Sequence, residues 1–97
     1  MEKVAQLSKL KAKMCISVKG KKLALFKIGK KVYCIDNTCT HAGGPLCEGD
    51  LDGTIITCPW HGSKFDVKTG KVVGPPAKKP VKNYKVTIKG GEVFVDV

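Results

Sequence analysis

Two short motifs carry the chemistry of this chain: Cys39-Thr40-His41 and Cys58-Pro59-Trp60-His61, with sixteen residues, 42 to 57, between the pairs. The chain has two histidines, and both fall inside these motifs. Thiolate sulfur and neutral imidazole nitrogen are transition-metal ligands, and two of each make a complete site. Cys39, His41, Cys58 and His61 are therefore the candidate metal- and cofactor-binding residues, and no residue is assigned a catalytic role. Cys47, in the same loop as His41, is a possible further ligand, but loop filling is the simpler reading.

The elements that must present these loops read as strands. Met14–Val18, Lys22–Ile28 and Lys31–Ile35 are short β-branched or alternating runs, separated by Lys19-Gly20-Lys21 and Gly29-Lys30. They are expected to form consecutive antiparallel strands joined by tight turns. One short helix is expected near Ser8–Lys11, with Ser8 as its cap. The segment from Asp36 to Asp66 reads as a glycine- and proline-rich insertion holding all four ligands, with very short strands around Leu51, Ile55–Thr57 and Lys64–Asp66. Asp52-Gly53 is a hairpin turn signal within it. Beyond it, Gly74-Pro75-Pro76-Ala77 is a stiff loop, and Lys85–Ile88 with Glu92–Val97 closes the chain as a hairpin. The expected fold is all-β: a small antiparallel sandwich or barrel spanning residues 1–97 as one domain, with a loop-built metal subdomain at about 36–66.

Bulk composition narrows the function classes. Ninety-seven residues suit a single modest core. No apolar run approaches the roughly 20 residues of a membrane span, and the first residues lack a signal-peptide pattern, so a cytoplasmic protein is expected. The odd number of cysteines, five, agrees with that. Cys15 and Cys34, in apolar surroundings, are expected to be small buried thiols. Net charge is +10, and every basic residue is lysine. Residues 1–31 carry ten lysines against Glu2, residues 36–66 a net −4, and residues 67–97 seven lysines against Glu92 and Asp96. Without arginine, a basic helix or a stacking ladder, nucleic acid is not an expected partner. A solvated lysine surface, or an acidic protein partner, accounts better for the charge.

The identity of the metal turns on the arrangement of the ligands. Zinc accepts a Cys₂His₂ set, and a structural zinc module is the alternative from a different class. Zinc fingers, however, group two cysteines and then two histidines, whereas each loop here offers one of each. A domain already rich in strands also has no need of a metal to create its core. The pattern resembles the Rieske family, and the resemblance extends to the flanks: Gly43-Gly44-Pro45-Leu46, Leu51-Asp52-Gly53, Gly62-Ser63-Lys64-Phe65-Asp66 and Gly74-Pro75-Pro76-Ala77. It covers about Leu23 to Val97. It implies one [2Fe–2S] cluster, with the cysteines on one iron and the histidines on the other. It also implies that His41 and His61 are the exposed ligands where electrons enter and leave.

Departures within the motifs point to a subtype. The Rieske subunits of cytochrome bc complexes carry an extra cysteine in each loop, joined as a disulfide; the matching positions here are Gly44 and Trp60, so quinol oxidation is not expected. High-potential relatives have a serine and a tyrosine after the second ligand pair. Ser63 is present, but Phe65 stands at the tyrosine position, implying a potential near the lower end of the Rieske range, roughly −150 mV. The resemblance thus implies a Rieske-type ferredoxin, a monomeric one-electron carrier rather than an enzyme. Its implied partners are a flavin-dependent reductase and a terminal oxygenase or similar acceptor, bound transiently through an apolar tip of Ala42, Leu46, Trp60 and the Pro75-Pro76 loop. The small Rieske-like subunit of a nitrite reductase is the alternative within electron transfer.

Overall fold

The structure, a computed structural model, describes residues 2–41, 43–60, 62–75 and 77–97. Three antiparallel sheets make up the fold. β1 (Glu2–Gln6), β11 (Glu92–Val95) and β10 (Val86–Lys89) form the first, in that order. The second runs β2 (Lys13–Val18), β3 (Lys21–Ile28), β4 (Lys31–Asp36), β9 (Asn83–Tyr84). The third runs β5 (Asp50–Asp52), β6 (Ile55–Thr57), β7 (Lys64–Asp66), β8 (Val72–Gly74). The all-β expectation holds, and β2, β3 and β4 of the central sheet lie within a residue of their expected bounds.

β3 and β4 are the wall between two interiors. Leu23 and Leu25 of β3, with Val32 and Cys34 of β4, face a basal core completed by Val93 and Val95. The intervening residues Ala24, Phe26 and Ile35 face a second core shared with Cys39, Cys58 and Phe65. The strand period of two thus feeds both sides at once. This explains why β3 carries four consecutive buried residues, Leu23–Phe26.

Three expectations are corrected. Residues 7–9 form a single 3-10 turn, and Gln6 precedes it without any side-chain cap, so Ser8 is not a capping residue. Ser8 lies inside that turn, where its hydroxyl cannot serve an N-terminal N–H. Cys15 is exposed on β2 rather than buried, and it is joined to Cys47 by a disulfide with Cα atoms 5.3 Å apart. Cys47 is therefore neither a ligand nor plain filler. β2 is the edge strand of its sheet, so its outer face is free to clasp the loop that carries Cys47. The Lys13 ammonium reinforces the clasp by donating to the Gly49 carbonyl. Strands β1, β8 and β9 had no sequence signal strong enough to announce them. All three are short, and β1 and β9 depend on partners distant in sequence.

Candidate metal centre

Loop 37–46 leaves β4 and is folded back on itself by backbone bonds. Cys39 N–H donates to the Gly44 carbonyl and Gly43 N–H to the Cys39 carbonyl, both at 2.9 Å. Gly43 takes φ +76°, the left-handed conformation that glycine adopts without steric cost. Asn37 anchors the return: its carbonyl accepts from Leu46 N–H at 2.7 Å and its Oδ1 from Cys47 N–H at 2.8 Å. Asn37 is a positioning residue that the motif search passed over. Its only signal was an amide-bearing residue immediately upstream of a ligand loop.

The second loop, between β6 and β7, closes with Cys58 N–H donating to the Ser63 carbonyl at 2.7 Å. Cys39 and Cys58 are each only 2% exposed, so both thiols lie inside the second core. Burial pushes the Cys58 thiol up, opposed by a hydrogen bond from the Trp60 backbone, while the adjoining Cys39 thiol raises it further. The Trp60 N–H reaches Cys58 Sγ at 3.4 Å. Two buried sulfurs side by side, one already receiving an N–H, form a donor set suited to metal as thiolates. His41, by contrast, is exposed. His61 lies outside the described residues, as do Ala42 and Pro76 of the expected tip.

Close approach of the two loops depends on Gly44. A Cβ there would stand 2.7 Å from Cys58 Sγ and 3.0 Å from Trp60 Cγ. Gly44 and Trp60 are thus neighbours in space, with the indole over the backbone and half exposed at 50%. Leu46 is fully buried and does not belong to the exposed tip, contrary to expectation. It faces inward because the Asn37 bonds turn the chain back towards the sheet. Phe65 is likewise fully buried, between its register partners Ile56 and Val72.

A third segment covers the two ligand loops and is pinned to both. Ala77 N–H donates to the buried Ser63 hydroxyl at 3.0 Å, and Thr40 Oγ1 donates to the Lys79 carbonyl at 2.7 Å. Ser63 Oγ accepts from Ala77, which leaves its own hydroxyl proton available to donate.

Residues 1–85 match the Rieske [2Fe-2S] domain family. The chain belongs to that family. It is 39% identical over 82 residues to the naphthalene 1,2-dioxygenase system ferredoxin component of Pseudomonas aeruginosa, covering 84% of this chain and 79% of the relative. Its structure superposes on the ferredoxin of carbazole 1,9a-dioxygenase from Nocardioides aromaticivorans with TM-score 0.94 and 35% identity, covering 97% and 94% of the two chains. A chain from a complex of reduced oxygenase and oxidized ferredoxin in carbazole 1,9a-dioxygenase matches with TM-score 0.89 and 36% identity, covering 98% of this chain and 100% of that one. This Rieske protein is a ferredoxin-type electron carrier with a [2Fe–2S] cluster, not a catalyst in its own right, and the zinc reading falls. No helix among the described residues is long and apolar enough to cross a membrane.

Proposed function

We propose that Cys39, His41, Cys58 and His61 are the four ligands of the cluster, and that the chain passes single electrons from a flavin-dependent reductase to a terminal oxygenase or similar acceptor. The observation that carries this is the asymmetry of the donors: two adjoining thiols buried at 2% exposure, with His41 on the solvent side. When bound, the cluster supplies a one-electron couple at this point of the chain. The residues do the remaining work. Cys39 and Cys58 would hold the cluster from inside the core and the exposed His41 from the solvent side, with His61 as the fourth ligand, so the His41 imidazole would give a short route to a docked partner.

The loops keep that arrangement fixed. Their backbone bonds, the Gly44 contact and the Ser63–Ala77 pin leave little freedom for ligands to shift with charge state. Small reorganisation favours rapid exchange. The Trp60 N–H offsets negative charge on Cys58, whereas Phe65 has no hydroxyl to offer, which supports a potential near the low end of the Rieske range, roughly −150 mV.

Partners that must release quickly bury little surface, so docking is transient and the carrier itself monomeric. The ferredoxin–oxygenase complex among the structural relatives supports an oxygenase as acceptor. A single domain over residues 1–97, with the ligand loops as its outer subdomain, fits this role. A cytoplasmic setting also belongs to this reading. There the Cys15–Cys47 pair would stand mostly as two thiols, because that compartment keeps dithiols reduced.

Absorbance and electron paramagnetic resonance spectra before and after dithionite, with iron and acid-labile sulfide analysis, test the proposal. The expected result is a coloured protein with a Rieske-type signal that appears on reduction and is lost in Cys39→Ser, His41→Ala, Cys58→Ser and His61→Ala. A cluster retained in any of these variants removes that residue from the ligand set. A midpoint potential well above zero would overturn the subtype.

A further inference from the structure

A cleft of about 510 Å³ opens beside the proposed outer ligand, and the described residues that line it are Thr40, His41, Lys78 and Lys79. The segment around the ligands is acidic in sequence, with a net −4 over residues 36–66. The cleft is nevertheless basic, because the covering segment brings its lysines there. That segment is held on both sides of the pair, by Ala77 N–H on Ser63 Oγ at 3.0 Å and by Thr40 Oγ1 on the Lys79 carbonyl at 2.7 Å. Lys78 and Lys79 are both exposed. Among the described residues the ion pairs are Lys3–Glu92 and Lys19–Glu2, so neither cleft lysine is spent on an internal carboxylate.

Resting on the carrier reading above, we propose that this cleft is an anion socket: carboxylate side chains of an acid-rimmed redox partner seat between Lys78 and Lys79 against His41. Such seating would place the partner's edge at the imidazole and set the orientation of docking. Charge at this position acts mainly on encounter and register. An acidic protein fits better than a phosphate backbone. Arginine is absent from the chain, and among the described residues the cleft is lined by no Phe, Tyr or Trp on which a base could stack.

The test compares the native protein with Lys78→Gln/Lys79→Gln and with Lys30→Gln/Lys31→Gln. The latter makes the same charge change at the β3–β4 turn, the opposite end of β4 from the ligand loops. One readout is anisotropy of labelled hexa-glutamate; the other is stopped-flow oxidation of the reduced protein by ferricyanide, which takes one electron to become ferrocyanide. The cleft variant should lose peptide binding and roughly tenfold of the ferricyanide rate at low salt. The turn variant should retain both. Equal losses in the two variants would reduce the effect to net charge, and no loss in the cleft variant would leave the socket without a role; either result overturns the proposal. So would tighter capture of an oligodeoxynucleotide of matched charge, lost in the same variant. A native protein lacking the iron–sulfur spectrum sinks the carrier reading, while the peptide arm still decides the socket.

Discussion

Leu23 and Leu25 leave one side of β3, Ala24 and Phe26 the other, and the two sides lead to different kinds of interior. The basal interior is filled by aliphatic residues meeting across sheets, including Val93 and Val95 of β11. Burial of area holds it, at about 1.5–3 kcal/mol for each large side chain. The second interior contains two thiols and the buried Ser63 beside its apolar residues, and the loops that close it over β3 and β4 are held by backbone and Asn37 hydrogen bonds. The same residue type behaves differently in the two. Cys34, in the basal core, is pushed up to about 12 by burial and then by the charge of Asp36. Cys58 is also raised by burial, but there an N–H from Trp60 pulls the other way. Burial raises both thiols; what sets Cys58 apart is the Trp60 N–H at its sulfur and the second thiol beside it.

Separating the two interiors by mutation gives the largest expected effects. Leu25→Ala opens a cavity in the basal core and should cost about 2–5 kcal/mol. In chemical denaturation the midpoint should fall, while iron content and spectrum stay native below the transition. Gly44→Ala should do the reverse. Its Cβ would collide with Cys58 Sγ at 2.7 Å, and overpacking of about 1–3 kcal/mol would fall on the thiol pair. Iron per chain should drop sharply, with a smaller loss of stability. Equal loss of iron in both variants would mean that the interiors are one cooperative unit.

The disulfide joins the two regions from outside. It ties the exposed edge strand β2 to the loop after Cys39, closing a sequence separation of 32 residues. Chain-entropy arguments assign such a loop about 3–4 kcal/mol. Cys15→Ser should therefore lower the stability of air-oxidised protein by that order, and a dithiol should abolish the difference between variant and native. A difference that survives the dithiol would place the effect in packing at β2 instead.

Alkaline pH sharpens the contrast between the thiols. A thiol whose pKa is raised in the fold stays protonated while the unfolded chain ionises, so rising pH favours unfolding. The ordinary value for Cys34 is 9.0 and the folded value about 12. Its contribution is complete below pH 9 and is lost between these two values, at about 1.4 kcal/mol per pH unit. Tyr84 adds to the loss from its ordinary value of 10.0 upward, since burial first and then its hydrogen bond to Asp36 raise its pKa. Denaturation midpoints across this window should fall less steeply in Cys34→Ala than in the native protein. An unchanged slope would assign the alkaline loss to Tyr84.

What the sequence revealed follows the same division. Alternation in β2, β3 and β4 and the turns between them is local physics, so those strands were legible to within a residue. Gly43, Gly44 and Gly62 stand in motifs of fixed spacing, and there Gly43 and Gly62 are left-handed and Gly44 allows the close approach of the loops. β1 was not, since Glu2–Gln6 becomes a strand only by pairing with β11 at the far end of the chain. The Cys15–Cys47 bridge escaped for the same reason: apolar neighbours in sequence said nothing about which face of an edge strand Cys15 would occupy. Lys78 and Lys79 read as part of a diffuse charge until the Thr40 and Ser63 bonds placed their segment over His41.

The smallest effect should come from the β2–β3 turn, where stability can change without touching the ligand loops. Lys19 and Gly20 both have positive φ, at 52° and 78°, as the centre of a two-residue hairpin between Val18 and its partner Lys21. A lysine in that conformation is strained by about 1–2 kcal/mol, a cost asparagine largely escapes. Against this stands the Lys19–Glu2 ion pair at 3.3 Å, with both side chains well exposed. Exposed pairs contribute about 0–1 kcal/mol. Relief of strain outweighs the lost pair, so Lys19→Asn should raise stability by about 0.5–1 kcal/mol. Its reduction potential and iron content should equal those of the native protein. A loss of stability would show that the ion pair, by holding β1 against the turn, matters more to the basal half than the strain does.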